Sequence, residues 1–370
     1  MRFAVITQIE HYKADRKYYS YTPYVKEMNL WFNHVDEVCI VAPFNPGIPT
    51  EIDSDYNINE IEFKQVSAIN LTSFFQVVRA LIKLPCILIT IYSAMSKADN
   101  IHLRCPGNMG LLGAFVQILF PGKRKTAKYA GNWDPKATQP WSYRLQKWIL
   151  SNTTLTKNMQ VLVYGDWPHQ TENIKPFFTA SYSEAEKNDI PLRKYDLPLR
   201  FLFVGSLVSG KQPQYAIDLI EELILNGFPS ELHFYGDGIL KKSLEENINN
   251  ENLKGALYFH GNQKPEDVQE AYQKSHFLIL PSKSEGWPKV VAEAMWWGTI
   301  PIVTPISCIP YMLGESKRGV LISTDLKSDL DKLIPVLKNK EALKSMAVEA
   351  SKWSRTYTLD RFNNEIEKLL

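Results

Sequence analysis

The segment FLILPSKSEGWPKVVAEAMWWG, residues 277–298, decides the fold of the second half of the chain. FLIL is entirely apolar, as expected of a strand in a parallel sheet that is covered on both faces. The loop PSKSEGW follows it. Pro288 suits the first turn of a helix and Gly298 suits the position just past its end, which predicts a helix from about Pro288 to Trp297. A strand, a loop and a helix in this order indicate an α/β fold.

The start of this helix is the first candidate for chemistry. Its unpaired N–H groups, on Trp287, Lys289 and Val290, would point out of the strand ends and would suit a phosphate or diphosphate. Glu293 lies among apolar residues, where a carboxylate is costly to bury without good hydrogen bonds. Ribose hydroxyls could supply two such bonds, and Glu285 could hold the hydroxyls of an attached sugar. Alternatively, Glu293 pairs with a basic residue and Glu285 is simply solvated.

Strands and helices alternate in both halves of the chain. RFAVITQ, DEVCIVAP, NIHLRCP and RKTAKYAG predict strands in the first half, and FLFVGSL, SELHFYGDG, ALYFHGN, HFLILPS and TIPIVTP predict strands in the second. The stretch 190–200 is rich in proline and charge and has little periodicity. We therefore predict a first domain over residues 1–196, a second over 197–350 and an amphipathic C-terminal helix over 351–370. Such doubly wound sheets bind ligands beyond the carboxyl ends of their strands.

Composition limits the classes of protein to consider. The chain has 370 residues, 45% of them hydrophobic, and a net charge of +2, which favours two globular domains and no nucleic-acid partner. Four widely spaced cysteines indicate neither a zinc site nor a disulfide framework, so we expect reduced thiols in the cytoplasm. The start of the chain does not look like a signal peptide. The apolar run 74–92 is interrupted by Arg79, Lys83 and Pro85, so it falls short of a membrane span.

EGWPKVVAEAMWWG resembles the E-x7-E motif of retaining glycosyltransferases of family 4, which have the GT-B fold. LPSKSEG before the motif, TIPIVTPISCIPYML after it, and FVGSLVSGK and HFYGDG further upstream are also similar to that family. The resemblance covers about residues 200–325 and is weaker in the first half. It implies an α/β protein of two Rossmann-like domains that face each other across a cleft, with the C-terminal helix crossing back to the first domain.

The resemblance also implies a donor site. Glu293 would bind the ribose and Glu285 would contact the donor sugar. Lys211 and the N–H dipoles of the helix would stabilise the departing diphosphate, so Glu285 and Lys211 would carry the chemistry without a metal ion or other cofactor. The implied donor-binding residues are Gly205, Ser206, Lys211, Gly236, Asp237, Gly261, Glu285, Gly286, Trp287, Pro288, Lys289, Val290 and Glu293.

The chain departs from the family at one position of this site. Ser206 stands where family members carry an arginine directly after a glycine. Either another cation supplies the missing charge, Arg318 and Lys289 being the candidates, or the leaving group is stabilised less strongly.

The first domain is expected to hold the acceptor. Polar residues that follow its predicted strands are the candidates for acceptor contacts: His11, Arg104, Asn108, Asn132 and Asp134. The histidine that many relatives carry after the strand matching KYAG has no clear counterpart, so we assign no catalytic base.

The apolar run allows two interpretations. Phe74, Val77, Val78, Leu81 and Ile82 form a helical stripe, which is typical of a helix packed on the sheet. The alternative is peripheral attachment to an anionic membrane, where a lipid-linked acceptor would be found. The cations of PGKRKTAK, residues 121–128, would support the alternative.

The sequence therefore predicts a retaining glycosyltransferase that is cytoplasmic or peripheral on the inner face of the membrane. It would transfer a sugar from a UDP- or GDP-sugar to a glycan or a lipid-linked acceptor, in capsular or other surface-polysaccharide biosynthesis. One alternative is a nucleotide-sugar 2-epimerase of the same architecture, which would need no acceptor. Another is a nucleotide-sugar-binding protein without catalysis.

Overall fold

Two compact units make up the structure, which is a computed structural model. It describes residues 1–50, 52–58, 60–69, 74–190, 193–246 and 250–370, and residues 74–80 by their backbone alone. One unit consists of Met1–Phe177 and Phe362–Leu370, and the other consists of Phe178–Arg361.

The division lies between Phe177 and Phe178, whereas the sequence placed a boundary at residue 196. Aromatic packing explains the difference. The ring of Tyr182 lies 5.1 Å from that of Trp296, and Tyr195 belongs to the hydrophobic core of the second unit. The segment after Phe177 therefore packs with the second unit although it has no regular pattern.

The first unit is built on a sheet of seven parallel strands. One of its inner strands is completely buried from Phe3 to Ile6, because it pairs on both edges and is covered on both faces. In spatial order the strands are β10 (Ile174–Phe177), β9 (Met159–Tyr164), β8 (Arg124–Tyr129), β7 (Asn100–Cys105), β1 (Arg2–Ile6), β4 (Glu37–Pro43) and β6 (Ile61–Val66).

Helices and a small antiparallel sheet surround these strands. The helices are α1 (Thr22–Phe32), α2 (Phe74–Lys97), α3 (Asn108–Val116) and α4 (Trp141–Ser151), and the small sheet contains β2 (Tyr12–Ala14), β3 (Lys17–Tyr21) and β5 (Asp53–Asp55). Across the described ranges, neither α2 nor any other helix is both long enough and apolar enough to pass through a membrane.

The second unit is built on six parallel strands. β11 pairs with β12 on one edge and with β14 on the other, so the loops after β11 and β14 leave the sheet side by side. Phe201 stacks on Phe277 at 4.9 Å in the core between them. The spatial order is β13 (Leu257–Gly261), β12 (Ser230–Tyr235), β11 (Leu199–Val204), β14 (Phe277–Leu280), β15 (Ile300–Val303) and β16 (Val320–Leu321).

Helices follow most of these strands. They are α5 (Pro213–Leu225), α6 (Lys241–Glu245), α7 (Pro265–Lys274), α8 (Lys289–Trp296), α9 (Ile309–Leu313), α10 (Leu326–Lys338) and α11 (Lys340–Ser354). The last helix, α12 (Leu359–Leu369), belongs to the first unit from Phe362 onwards.

The end of the chain forms parts of two helices rather than the single helix predicted over 351–370. α11 ends at Ser354 and α12 begins at Leu359. The Thr358 hydroxyl accepts a hydrogen bond from the Arg361 N–H at 3.2 Å, as the N-cap of a new helix does. The Ser354 hydroxyl donates to the Ala292 carbonyl at 2.6 Å, which ties the end of α11 to α8.

A buried carboxylate joins several elements of the second unit. Asp329 in α10 is fully buried. Its oxygens accept hydrogen bonds from the Tyr215 hydroxyl at 2.5 Å and from the backbone N–H groups of Ser323 and Thr324 at 2.8 and 2.9 Å. Removing the carboxylate would leave these donors without an acceptor.

Replacing Asp329 with alanine should therefore lower the free energy of unfolding by about 3 kcal/mol. Asp331 lies on the same helix and is exposed, so Asp331→Ala should change it by less than about 0.5 kcal/mol. Urea denaturation followed by tryptophan fluorescence measures both values. Equal effects of the two substitutions would contradict the role assigned to Asp329.

Candidate functional site

Lys211 and Glu285 meet at the carboxyl edge of the second sheet. Lys211 lies in the loop after β11 and Glu285 in the loop after β14, and their side chains form an ion pair in which each is partly exposed. The Lys283 N–H donates to the Gly210 carbonyl at 2.9 Å, so the backbones of the two loops are also joined. The structure thus brings together the two residues to which the sequence assigned the chemistry.

The loop after β15 holds the backbone next to Glu285. The Ser307 hydroxyl donates to the Gly286 carbonyl at 3.0 Å, and the Cys308 thiol approaches the same oxygen at 3.3 Å. Burial, with a smaller contribution from Glu285, raises the pKa of the Cys308 thiol to about 12. Cys308 therefore stays protonated and can donate.

Helix α8 begins beside this loop. It starts at Lys289 with Pro288 as its N-cap, one residue later than predicted, and Trp287 is buried against Trp353 and Tyr357. Within the described part of the chain, the N–H groups of Lys289 and Val290 meet no acceptor. Two donors at the positive end of the helix are thus available to an anion.

Glu293, one turn further along α8, is half-buried and bound by two hydroxyl groups. The Ser181 hydroxyl donates to its Oε1 at 2.6 Å and the Tyr272 hydroxyl donates to its Oε2 at 3.0 Å. Among the described residues no cation pairs with Glu293. The alternative in which Glu293 pairs with a basic residue is therefore wrong, and Glu285 is ion-paired rather than simply solvated.

The ends of β11, β12 and β13 lie close together. The Gly205 N–H donates to the Tyr235 carbonyl at 2.9 Å, and the Gly236 N–H donates to the Gly261 carbonyl at 2.8 Å. At Gly236, whose φ is +139°, a Cβ atom would lie 2.1 Å from the Gly205 oxygen. Any side chain at this position would push the first two loops apart.

Two more of the predicted donor-site residues lie in these loops. Asp237 accepts a hydrogen bond from the Gly238 N–H and pairs with Lys241 at 3.3 Å, and both interactions lower the pKa of its carboxyl group. Ser206 is exposed. Because Ser206 carries no charge, Lys211 is the nearest cation to it in the loop after β11.

Arg318 is engaged at the end of α9. Its guanidinium donates to the carbonyls of Met312 and Tyr311 at 2.7 and 2.9 Å and lies 4.9 Å from the ring of Trp353. These contacts cap the carboxyl end of the helix, so they do not support Arg318 as the replacement for the family's arginine. Lys289 remains a candidate, because it stands at the first position of α8 and is partly exposed.

Two of the acceptor-side candidates are held inside the first unit. His11 is buried, with Nδ1 2.9 Å from the Ile9 carbonyl and Nε2 2.7 Å from the Tyr56 hydroxyl. Because a carbonyl only accepts, Nδ1 carries the proton and Nε2 accepts. Arg104 forms an ion pair with Glu27.

The other acceptor-side candidates shape loops. Asn108 donates to the Ile69 carbonyl at 3.0 Å. The side chain of Asn132 accepts from the Asp134 N–H at 2.9 Å, and that of Asp134 accepts from the Lys136 N–H at 2.8 Å. These bonds account for the residues as loop structure, and their role towards an acceptor stays a prediction.

The cations of residues 121–128 are bound within the first unit, contrary to the expectation that they support a membrane surface. Lys123 donates to three carbonyls at the end of α2, Lys125 donates to two carbonyls that follow α3, and Arg124 donates to the carbonyl of the last residue. Lys128 is buried and pairs with Glu27 at 2.9 Å. These positively charged side chains are therefore bound inside the first unit, by backbone carbonyl groups and by the Glu27 carboxylate.

Sequence reasoning missed four residues that contact the predicted site: Ser181, Tyr272, Ser307 and Cys308. A signal existed for the last two, because PISCIP follows a predicted strand and loops after parallel strands gather at one edge. Tyr272 lies on the apolar side of an amphipathic helix, where an aromatic residue usually indicates core. Ser181 lies in a segment without periodicity and had no signal.

The chain is similar to known glycosyltransferases over its second half. Residues 184–353 match the family described as glycosyl transferases group 1. An uncharacterized glycosyltransferase of Methanocaldococcus jannaschii is 26% identical over 43% of this chain and 44% of its own. The UDP-Gal:alpha-D-GlcNAc-diphosphoundecaprenol alpha-1,3-galactosyltransferase of Escherichia coli is 30% identical over 38% and 37%. The chain thus spans less than half of the length of these two relatives.

Solved structures resemble the whole chain at low identity. Anabaena HepE in complex with UDP-glucose has a TM-score of 0.67 and 11% identity, covering 100% of this chain and 98% of its own. Sucrose-phosphate synthase from Thermosynechococcus elongatus has a TM-score of 0.66 and 14% identity, with the same coverage. The fold is therefore GT-B, with two Rossmann-like α/β units, as predicted.

The burial of His11 has a measurable consequence. Burial lowers the pKa of His11 from 6.5 to about 4, so the unfolded chain takes up this proton at a higher pH than the folded chain does. The stabilisation, up to about 3 kcal/mol, is present above pH 6.5 and is lost as the pH falls towards 4.

We therefore expect the free energy of unfolding to decrease less steeply with falling pH in His11→Gln than in the wild type. Urea denaturation at several pH values between 4 and 6.5 measures both slopes. The difference between the two slopes should correspond to nearly one additional proton bound by the unfolded wild-type chain. Identical slopes would mean that folding does not change the protonation of His11.

Proposed function

We propose that this protein is a retaining glycosyltransferase that moves a sugar from a UDP- or GDP-sugar to a glycan or lipid-linked acceptor. The observation that carries the proposal is the ion pair of Lys211 and Glu285 beside the start of α8. A cation, a carboxylate and two N–H groups that meet no acceptor among the described residues then lie at one sheet edge. A cation and N–H donors suit the oxygens of a diphosphate, and a carboxylate suits the hydroxyls of the sugar joined to it.

The charges suit the departure of a nucleoside diphosphate. An ammonium group has three donors, and Glu285 occupies one of those of Lys211. The remaining donors, with the N–H groups of Lys289 and Val290, would face the diphosphate oxygens, where negative charge grows as the bond breaks. In this proposal the protein itself supplies the positive charge, so no metal ion or other cofactor is needed.

The reaction exchanges one bond at the anomeric carbon for another. The bond from that carbon to the diphosphate oxygen breaks, and a bond to an acceptor hydroxyl forms on the same face, which retains the configuration. The acceptor proton passes to the departing diphosphate. Glu285 would hold the hydroxyls of the sugar in place during this exchange, and Glu293 would hold the ribose.

The names of similar proteins support a nucleotide-sugar donor and a role in polysaccharide assembly. HepE has been solved with UDP-glucose, and the Escherichia coli relative is named for transfer of galactose from UDP-Gal to a diphosphoundecaprenol-linked sugar. A Klebsiella pneumoniae protein encoded in a cps region is 21% identical over 78% of this chain and 82% of its own. We therefore propose a role in the assembly of a surface polysaccharide.

Replacing Glu285 with alanine should reduce sugar transfer by at least about 100-fold and leave nucleotide binding mostly intact, because this carboxylate is assigned to the sugar. The donor is first identified by the rise in melting temperature that UDP- and GDP-sugars cause in the wild type. Transfer of the radiolabelled sugar to a lipid or glycan extract then measures activity.

Glu270→Ala is the matched control. It removes a carboxylate that pairs with Lys274 on the surface of the same unit, and it should leave transfer unchanged. If Glu285→Ala transfers sugar at a rate close to that of the wild type, Glu285 does not hold the donor sugar as proposed. Conversion of UDP-N-acetylglucosamine without any acceptor would instead identify a 2-epimerase.

We also propose that α2 attaches the protein to an anionic membrane surface. Leu81, Ile82 and Ile89 are 60%, 74% and 68% exposed, although the helix buries its opposite face in the core of the first unit. Exposed lysines, Lys83 and Lys97, stand on the same helix. An apolar face with flanking cations suits the interface of an anionic bilayer. Phe74, Val77 and Val78, also predicted for this stripe, lie outside the described side chains.

The double variant Ile82→Asp, Ile89→Asp should sediment with phosphatidylglycerol-containing vesicles at least about tenfold more weakly than the wild type, because two apolar contacts are lost. Ile239→Asp, at an 86% exposed site in the second unit, is the control and should behave as the wild type. A wild type that does not sediment with vesicles would refute the proposal. Concentration-dependent dimers of the wild type that the double variant abolishes would instead assign the face to a second copy.

A further inference from the structure

Both oxygens of the Glu293 carboxylate are held by hydroxyl groups from separate segments. Ser181 belongs to the segment that follows β10, and Tyr272 belongs to α7. Their hydroxyls donate to Oε1 and Oε2 at 2.6 and 3.0 Å. A carboxylate that is held at both oxygens cannot rotate without breaking a bond, so its direction is fixed.

Tyr272 is itself held at its other end. The Tyr272 carbonyl accepts hydrogen bonds from the Thr299 hydroxyl at 2.5 Å and from the Arg193 guanidinium at 2.8 Å. The side chain is 1% exposed, and burial together with the neighbouring Glu293 raises the pKa of its hydroxyl. The phenol therefore stays protonated and presents its one hydrogen to Glu293.

Ser181 is anchored through the residue next to it. The ring of Tyr182 lies 5.1 Å from that of Trp296 and 5.7 Å from that of Trp297. Trp296 is the last residue of α8, and Glu293 lies three residues before it. Packing on the helix that carries Glu293 thus keeps the Ser181 hydroxyl beside the carboxylate.

The number of further hydrogen bonds that the Glu293 carboxylate can accept equals the number that a vicinal diol can donate. An ionised carboxylate accepts about four hydrogen bonds, and the two hydroxyls take two of them. About two acceptor positions remain on a half-buried side chain. A vicinal diol, such as the 2′ and 3′ hydroxyls of a ribose, donates two.

We infer that Ser181 and Tyr272 are positioning residues that orient Glu293 towards a ribose diol and so select ribonucleotides. This inference rests on the proposed function and adds the selecting residues to it. Neither hydroxyl needs to touch the nucleotide. Their effect should therefore depend on the presence of the ribose hydroxyls in the ligand.

Isothermal titration calorimetry with UDP, GDP and their 2′,3′-dideoxy analogues tests this dependence. Tyr272→Phe and Ser181→Ala should each weaken binding of the preferred ribonucleotide by about tenfold. Neither should change binding of the dideoxy analogue, which has no diol for Glu293. In transfer assays, the KM for the donor should rise more than kcat falls.

Matched controls separate positioning from general damage to the fold. Tyr215→Phe removes a phenol that donates to the buried carboxylate of Asp329 in the same unit. Ser354→Ala removes a hydroxyl that bonds to the α8 backbone at Ala292. Both should bind ribonucleotide and dideoxynucleotide as the wild type does, and melting temperatures report the folding of all four variants.

The outcomes distinguish this inference from the proposed function. Equal weakening of both ligands in Tyr272→Phe and Ser181→Ala, or no weakening of either, would overturn the positioning role while the proposed function stands. A wild type that binds neither UDP nor GDP would overturn both. Loss of affinity confined to the ribonucleotide supports both.

Discussion

The adjacency of β11 and β14 in the second sheet is the constraint on which the candidate site depends. Lys211 and Glu285 are 74 positions apart in the chain, and each follows one of these strands. Because parallel strands end at the same edge, neighbouring strands deliver their loops to the same place. A sheet in which another strand separated β11 from β14 would keep every residue of the motif and lose the ion pair.

The ion pair of Lys211 and Glu285 also removes the cost of covering an unpaired charge. Both side chains are largely covered, and a covered ammonium or carboxylate without a partner is strongly unfavourable. Each charge of the pair therefore stabilises the other. Glu293 differs, because among the described residues its partners are the hydroxyl groups of Ser181 and Tyr272 and not a cation. A carboxylate that is bound by two hydroxyl groups can still accept hydrogen bonds from a ligand that brings further donors.

The fold was predictable because its signals are local. Alternation of strands and helices indicated the α/β class, and the capping residues placed α8 within one residue at each end. The positions of Lys211 and Glu285 just after strand ends were predictable for the same reason, and their roles in catalysis stay a prediction. Contacts between distant segments were not: Ser181 and Glu293 are 112 positions apart, and nothing near Ser181 predicts the meeting. The cations of residues 121–128 were wrongly expected to face a membrane surface. A run of basic residues in the sequence does not reveal that backbone carbonyl groups will bind their side chains.

The cysteines differ in a way that bears on labelling chemistry. Cys39, Cys105 and Cys308 are buried, whereas Cys86 is exposed on α2. Burial raises the pKa of each buried thiol, and a thiol that does not ionise reacts slowly with a maleimide. The native chain thus offers a single reactive sulfur for a fluorophore, without engineering, on the helix whose apolar face is exposed. The emission colour of a polarity-sensitive dye at Cys86 would report directly whether that helix enters a lipid environment.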